Sequence, residues 1–329
     1  MIKQKQKIKT VLITGAAGFI GFHLSLFLKK RGDIVIGYDN FFNNYDPFLK
    51  KTRADILKEN NIPILKESIL DIEKLKQAII ENNITHVVHL AAIAGVRHSF
   101  KEPIDYININ INGFINILEA VKDINPSIPI VYASSSAVYN DKINKSFESS
   151  KRTGSPVSIY GVSKKTNELL AYIYNNTYNL SLTGLRFFSV FGPWGRPDMA
   201  YFLFAEKILK NEEITVFNKG NTFRSYTYIS DIIEGIASSI DNSFKNGIFN
   251  LGNEKTIFLM DLISTIEKYL NKKAKINYSS KMIGELTRTH AEISCAKKYL
   301  NFSPKVSFEK GMQYFLKWYL DYNNKIKRK

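Results

Sequence analysis

At 329 residues and 44% hydrophobic content, the chain is long enough for one large α/β unit or two modest domains and too apolar to be disordered. Its formal net charge of +16 comes from scattered lysines, without an arginine-rich tract or zinc-finger spacing. That argues against a nucleic-acid partner and leaves a positive field suited to a small phosphate-bearing substrate.

The single cysteine, Cys295, cannot form an internal disulfide and fits a reducing compartment. The basic run 3–9 followed by apolar residues 11–28 mimics a secretory leader, but Gly15, Gly18, Gly21 and His23 interrupt it. No stretch reads as a membrane span, so a cytoplasmic protein with no membrane partner is expected.

In chain order, residues 9–14 read as a buried strand and 19–30 as an amphipathic helix, joined by the turn GAAGFIG at 15–21. Glycines there let the backbone approach a pyrophosphate, and free amides at the helix start face its charge. The spacing is GxxGxxG rather than GxGxxG, which alone is a weak signal. A second strand, 33–38, ends at Asp39, eighteen positions after Gly21. An acid there accepts hydrogen bonds from ribose hydroxyls and repels a 2′-phosphate, favouring NAD over NADP.

Further strand and helix units follow at 63–66, then Asp71 with a helix over 72–81, a strand over 86–90 before Ala91 and Ala92, and a strand over 128–133. Such alternation predicts an α/β fold with a doubly wound parallel sheet, whose ligands sit at the carboxyl ends of the strands. Asp71 is then placed to meet an adenine edge, and residues 90–92 offer small side chains where a cofactor passes. His89, inside its strand, reads as a packed core histidine. The basic end 324–329 reads as a disordered tail.

The last of these strands runs into SSSAVY at 134–139, whose hydroxyls face the same crevice. After a polar loop, a helix begins near Pro156 and carries Tyr160 and Lys164. Spacing of four puts both on one helical face. A phenol with a pKa near ~10 is a poor base at neutral pH, but an ammonium neighbour favours phenolate. Ser135, Tyr160 and Lys164 can form one hydrogen-bonded set for proton abstraction.

The segments TGAAGFIGFHL (14–24), LAAIAGVRHS (90–99), SSSAVY (134–139), YGVSKKTNEL (160–169), LRFFSVFGPWGRPDMA (185–200) and the run 224–231 resemble the extended short-chain dehydrogenase/reductase family. The likeness is closest to its UDP-glucuronate 4-epimerase branch and covers roughly residues 8–322. It implies a Rossmann-like sheet domain, 1–190 plus 224–252, and a smaller C-terminal α/β substrate domain, 191–223 plus 253–329. It also implies a tightly held NAD that removes hydride from C4 of a UDP-sugar and returns it to the other face of a 4-keto intermediate.

By this resemblance Tyr160 is the base, Lys164 lowers its pKa and holds the nicotinamide ribose, and Ser135 bonds the C4 oxygen. The cofactor would be lined by Gly15, Gly18, Phe19, Ile20, Gly21, Asp39, Asn40, Asp71 and Ile72, with Leu90, Ala91, Ala92 and Asn110 nearby. Arg224 would meet the diphosphate, and Ser136, Ser189 and Arg196 would surround a sugar carboxylate without a metal. Arg97 is a further cationic candidate. Helices over 104–121 and 159–175 resemble the pair that forms a homodimer interface.

Some positions depart from the family pattern. Asn140 replaces a glycine and is tolerable because Asn visits left-handed backbone. Ala137 replaces a hydroxyl residue and so removes one carboxylate contact, Ser189 replaces a threonine, and Ile283-Gly284-Glu285 replaces Pro-Gly-Asp. Arg288 has no assignable role.

Alternatives are a 4-epimerase of a neutral sugar, UDP-N-acetylglucosamine or UDP-glucose, and a UDP-glucuronate decarboxylase. The second is disfavoured because such enzymes carry glutamate where Ala137 stands. Dehydratases carry acids after the active-site hydroxyl, which Ser136 and Ala137 do not supply. Retention of Ser135, Tyr160 and Lys164 argues against a non-catalytic nucleotide-binding protein.

Overall fold

The computed structural model describes residues 8–43, 45–140, 153–242, 244–280, 284 and 286–325. Residues 3–7 of the basic run, Ile283, Glu285 and 326–329 lie outside them.

The chain opens with β1 (Thr10–Thr14), α1 (Phe19–Arg31), β2 (Ile34–Tyr38), α2 (Pro47–Glu59), β3 (Ile64–Leu65), α3 (Ile72–Glu81) and β4 (His86–His89). Short helices α4 (Val96–Ser99) and α5 (Pro103–Asp105) lead through π turns (Tyr106–Asn112) into α6 (Gly113–Ile124), then β5 (Ile130–Ser135), α7 (Ile159–Tyr178) and β6 (Leu182–Phe187). Next come β7 (Ser189–Phe191), α8 (Ala200–Leu209), β8 (Glu213–Phe217), β9 (Phe223–Arg224), β10 (Tyr226–Tyr228), α9 (Ile229–Asp241) and β11 (Asn246–Leu251). The last elements are β12 (Ile257–Phe258), α10 (Leu259–Leu270), β13 (Lys275–Ser279), α11 (Ser294–Leu300) and α12 (Phe308–Lys325).

Seven strands form one sheet in the order β3-β2-β1-β4-β5-β6-β11, all neighbours parallel. Strands buried on both faces need continuous apolar runs, and β1 supplies one: Val11, Leu12 and Ile13 are all fully buried. Strand order reverses between β1 and β4, which opens a crevice at their carboxyl ends. One face of the sheet packs on α1 and α9, the other on α3, α6 and α7, and a third cluster joins α8, α10 and α12 over β8. No described helix is long and apolar enough to cross a membrane.

Two expectations need correction here. The helix expected over 104–121 is interrupted by π turns over Tyr106–Asn112, a stretch that carries Asn110 into the interior. The basic end is helical as far as Lys325. The helix expected over 72–81 has those bounds, because Asp71 caps its first turn, its carboxylate accepting from Lys74 N at 3.0 Å.

Candidate active site

The turn after β1 has no room for side chains. A Cβ on Gly15 would lie 2.8 Å from Ala91 N, one on Gly18 2.9 Å from Gly15 O, and one on Gly21 2.2 Å from Gly15 O. Gly15 also holds a φ of 76°, which a side chain would strain. Helix α1 then begins with no side-chain cap and no acid in its first turn. Such a bare, cradled helix start fits the pyrophosphate of a dinucleotide.

Asp39, at the end of β2, braces the same turn: its carboxylate accepts from Ala17 N at 3.0 Å and Phe41 N at 2.8 Å. Burial raises its pKa against those bonds and the nearby Lys50 and Arg53. A carboxylate has about four acceptor positions, so capacity remains for ribose hydroxyls.

A cavity of about 1030 Å³ runs along the carboxyl ends of the strands. Its wall includes Gly15, Gly18, Phe19, Ile20, Gly21, Asp39, Asn40, Leu90, Ala91 and Ala92, and also Arg97, Ser189, Arg196 and Arg224. Ser135, Ser136, Tyr160 and Lys164 also line it.

Three expected cofactor residues are not in this wall. Asp71 is exposed and caps α3 with one carboxylate bond, Ile72 follows it into the helix, and the wall there is Ser68, Ile69 and Leu70. Asn110 sits one layer behind, its amide bonding Ile93 N at 2.8 Å, Ile93 O at 2.9 Å and Ser163 Oγ at 3.1 Å. It ties the segment after β4 to α7.

Helix α7 starts at Ser158, whose hydroxyl accepts from Gly161 N at 3.0 Å. A Cβ at Gly161 would lie 2.3 Å from Ala137 O, so glycine lets the helix press against the Ser135 segment. The Ser135 hydroxyl sits near enough to the Tyr160 phenol to pull its pKa down, while its Oγ accepts from Ala137 N at 3.1 Å.

Burial pushes the Tyr160 pKa up, and the influences opposing it are the nearby Ser135 hydroxyl and the Arg196 charge. Lys164 is buried too, its pKa lowered to about 8 by that burial. Desolvation is the larger influence on the phenol, and Arg196 is a cation that opposes it.

Arg196 donates Nε to Asp198 at 3.0 Å, a second bond from its terminal nitrogen to the same carboxylate, and one to Ala94 O at 3.0 Å. Asp198, not singled out in the sequence, therefore already sits in the fork expected to meet a sugar carboxylate. Arg224 donates to Phe223 O at 3.0 Å and Thr287 O at 3.2 Å. The Arg97 guanidinium lies over the Phe217 ring, 4.9 Å from its centroid, and Arg288 lies over Phe223 at 5.1 Å.

Asn140 does not adopt left-handed backbone. Its amide donates to Ser155 O at 3.2 Å and packs where a Cβ on Gly154 would fall. His89 is a core histidine, 2.9 Å from Thr14 Oγ1 and stacked on Phe114.

Two features escaped the sequence reading. Glu168, next on the face of α7 after Tyr160 and Lys164, bonds Arg186 on β6 at 2.7 and 2.9 Å and Ser134 Oγ at 2.7 Å. Repeating the spacing of four once more would have found it. Helix α2, unread, places buried Lys50 in the cavity wall and fully buried Arg53 behind the glycine turn. Arg53 reaches Trp194, 141 positions away, and no local signal announces such a bond.

A family model described as NAD dependent epimerase/dehydratase family matches residues 11–252. The chain is 44% identical over 330 residues to UDP-glucuronate 4-epimerase 4 of Arabidopsis thaliana, covering 95% of this chain and 76% of that protein. Its fold is similar to a crystal structure of UDP-glucuronic acid 4-epimerase from Bacillus cereus with UDP-glucuronic acid and NAD, at TM-score 0.87 and 34% identity over 95% of this chain and 99% of that one. A UDP-glucose 4-epimerase from Thermotoga maritima with UDP-glucose has TM-score 0.86 at 25% identity, over 95% of this chain and 99% of that one. The glycine cradle, the Asp39 brace and the Ser135–Tyr160 pair thus stand in a chain that belongs to the NAD dependent epimerase/dehydratase family.

Proposed function

We propose that this protein is an NAD-dependent epimerase that inverts C4 of UDP-glucuronate to give UDP-galacturonate, with Tyr160 as base. The observation carrying this reading is that Ser135, Tyr160 and Lys164 line one cavity together with the glycine cradle, Arg196 and Arg224. The 44% identity to a UDP-glucuronate 4-epimerase and the likeness to one holding UDP-glucuronic acid and NAD support it.

Bound NAD supplies a hydride acceptor that gives the hydride back, so net redox change is zero. Tyr160 takes the proton of the C4 hydroxyl as the C4–H bond breaks, and returns it after the 4-keto sugar has presented its other face. Ser135 bonds the C4 oxygen in both orientations. Lys164 holds the nicotinamide ribose, and Arg224 meets the diphosphate, for which a guanidinium is suited. Ser136 and Ser189, with Arg196 released from Asp198, receive the uronate carboxylate, and Arg97 adds positive field.

The division into sheet domain (1–190 plus 224–252) and substrate domain (191–223 plus 253–329) is part of the proposal, as are a cytoplasmic location and a homodimer. Val162, Leu169 and Ile173 on α7 are 44%, 55% and 54% exposed and share one helical face, an apolar surface suited to a second copy. UDP-glucuronate carrying deuterium at C4 tests the reaction: retention of the label at C4 of the product supports hydride return, and washout into solvent contradicts it.

A further inference from the structure

Three consecutive backbone carbonyls in the loop after β7, those of Pro193, Trp194 and Gly195, each accept from a side chain of α1 or α2. His23 Nε2 bonds Pro193 O at 2.9 Å. Arg53 donates one terminal nitrogen to Trp194 O at 2.5 Å and Gly195 O at 3.1 Å. A carbonyl only accepts, so His23 carries its proton on Nε2, and burial, lowering its pKa to about 4, keeps it neutral.

The other terminal nitrogen of Arg53 turns the opposite way, to Ala17 O in the glycine turn at 3.1 Å and Tyr45 OH at 2.8 Å. One fully buried guanidinium thus spans the cofactor turn and the loop. That loop needs holding. Trp194 has a φ of 60°, and a bulky residue there costs about 1–3 kcal/mol unless its surroundings over-determine it. Its indole packs on Phe22 and Trp318 at 5.6 and 5.1 Å between centroids. Two residues on, Arg196 enters the cavity.

We propose that Arg53 is a positioning residue: by bridging Ala17 to Trp194 and Gly195, it aims Arg196 at the substrate from the same point that braces the cofactor turn. This rests on the reading of Arg196 as substrate-facing. Five fixed donors suit guanidinium to a two-sided bridge, whereas a lysine reaches one side at a time.

The test uses NAD-loaded protein. Arg53→Lys is expected to raise KM for UDP-glucuronate about tenfold with kcat within about threefold. Inhibition by UDP, which lacks the sugar, should change less than about twofold. In an Arg196→Ala background the same substitution should add less than about twofold, because its route is gone. Effects that multiply, or a UDP constant that worsens as much as KM, overturn the proposal.

If Arg53→Lys does not fold, His23→Ala cuts the neighbouring grip and must show the same split between uronate KM and UDP; an equal change overturns the idea. Should Arg196→Ala alone leave the uronate KM unchanged, the reading of Arg196 falls. Acrylamide quenching of Trp194 in a Trp318→Phe background then judges Arg53: stronger quenching with Arg53→Lys upholds its hold on the loop, and unchanged quenching refutes it.

Discussion

The Glu168 carboxylate and the Arg186 guanidinium meet through two hydrogen bonds of 2.7 and 2.9 Å, with both side chains under 4% exposed. Burial pushes the Glu168 pKa up, but the Arg186 bonds and charge, the Ser134 bond and the Lys165 charge together hold it below the ordinary value. Because Ser134 also donates to Glu168 at 2.7 Å, the pair joins the end of β5, and so Ser135, to the helix carrying Tyr160.

Removing one partner of such a buried pair leaves an uncompensated charge. Glu168→Gln is therefore expected to destabilise the fold by about 3 kcal/mol, the scale for broken buried pairs, read from urea unfolding. A loss within about 0.5 kcal/mol, the ordinary surface range, contradicts the role given to the pair.

Tyr160→Phe removes the proton acceptor while keeping the ring. Turnover should fall by about two orders of magnitude or more, with bound NAD retained, as measured by kcat and by absorbance after gel filtration. Near-normal activity in this variant sinks Tyr160 as the base.

Asp39→Ala unpairs the buried Ala17 amide and removes the acceptor for ribose hydroxyls. One such loss costs about 1–3 kcal/mol, which predicts NAD affinity weakened by about tenfold or more, read by calorimetric titration. Unchanged NAD affinity would show that Asp39 serves the turn alone.

Stability should fall on acidification for a stated reason. Burial lowers His89 to about 3 and His23 to about 4, from an ordinary 6.5. Between those values the unfolded chain binds protons that the folded chain refuses, so stability is full above about 6.5 and drops as pH falls toward 4. Thermal midpoints measured from pH 7.5 to 4.5 check this, and His89→Asn should flatten the slope. A midpoint that rises over that range would contradict the sign.

Local chemistry made much of this legible. The glycine turn, the Asp71 cap and the one-face spacing of Tyr160 and Lys164 are short-range patterns, and they put β1, α3 and α7 close to where they lie. What was missed depends on distance or burial. In sequence Asp71 reads as a ligand residue, and its role as the cap of α3 shows only in the fold. Arg53 and Asp198 act through partners that only the fold supplies. Burial of Tyr160 and of Lys164, each of which shifts that residue's own pKa, also depends on the folded packing.

The central claim is the conversion of a UDP-linked uronic acid at C4. The most direct measurement is incubation of the purified protein with UDP-glucuronate, UDP-glucose and UDP-N-acetylglucosamine, with chromatographic separation of the products. The account predicts UDP-galacturonate from UDP-glucuronate, little turnover of the neutral sugars and no pentose. Turnover of a neutral sugar in preference to the uronate, or a UDP-pentose as the main product, would contradict it.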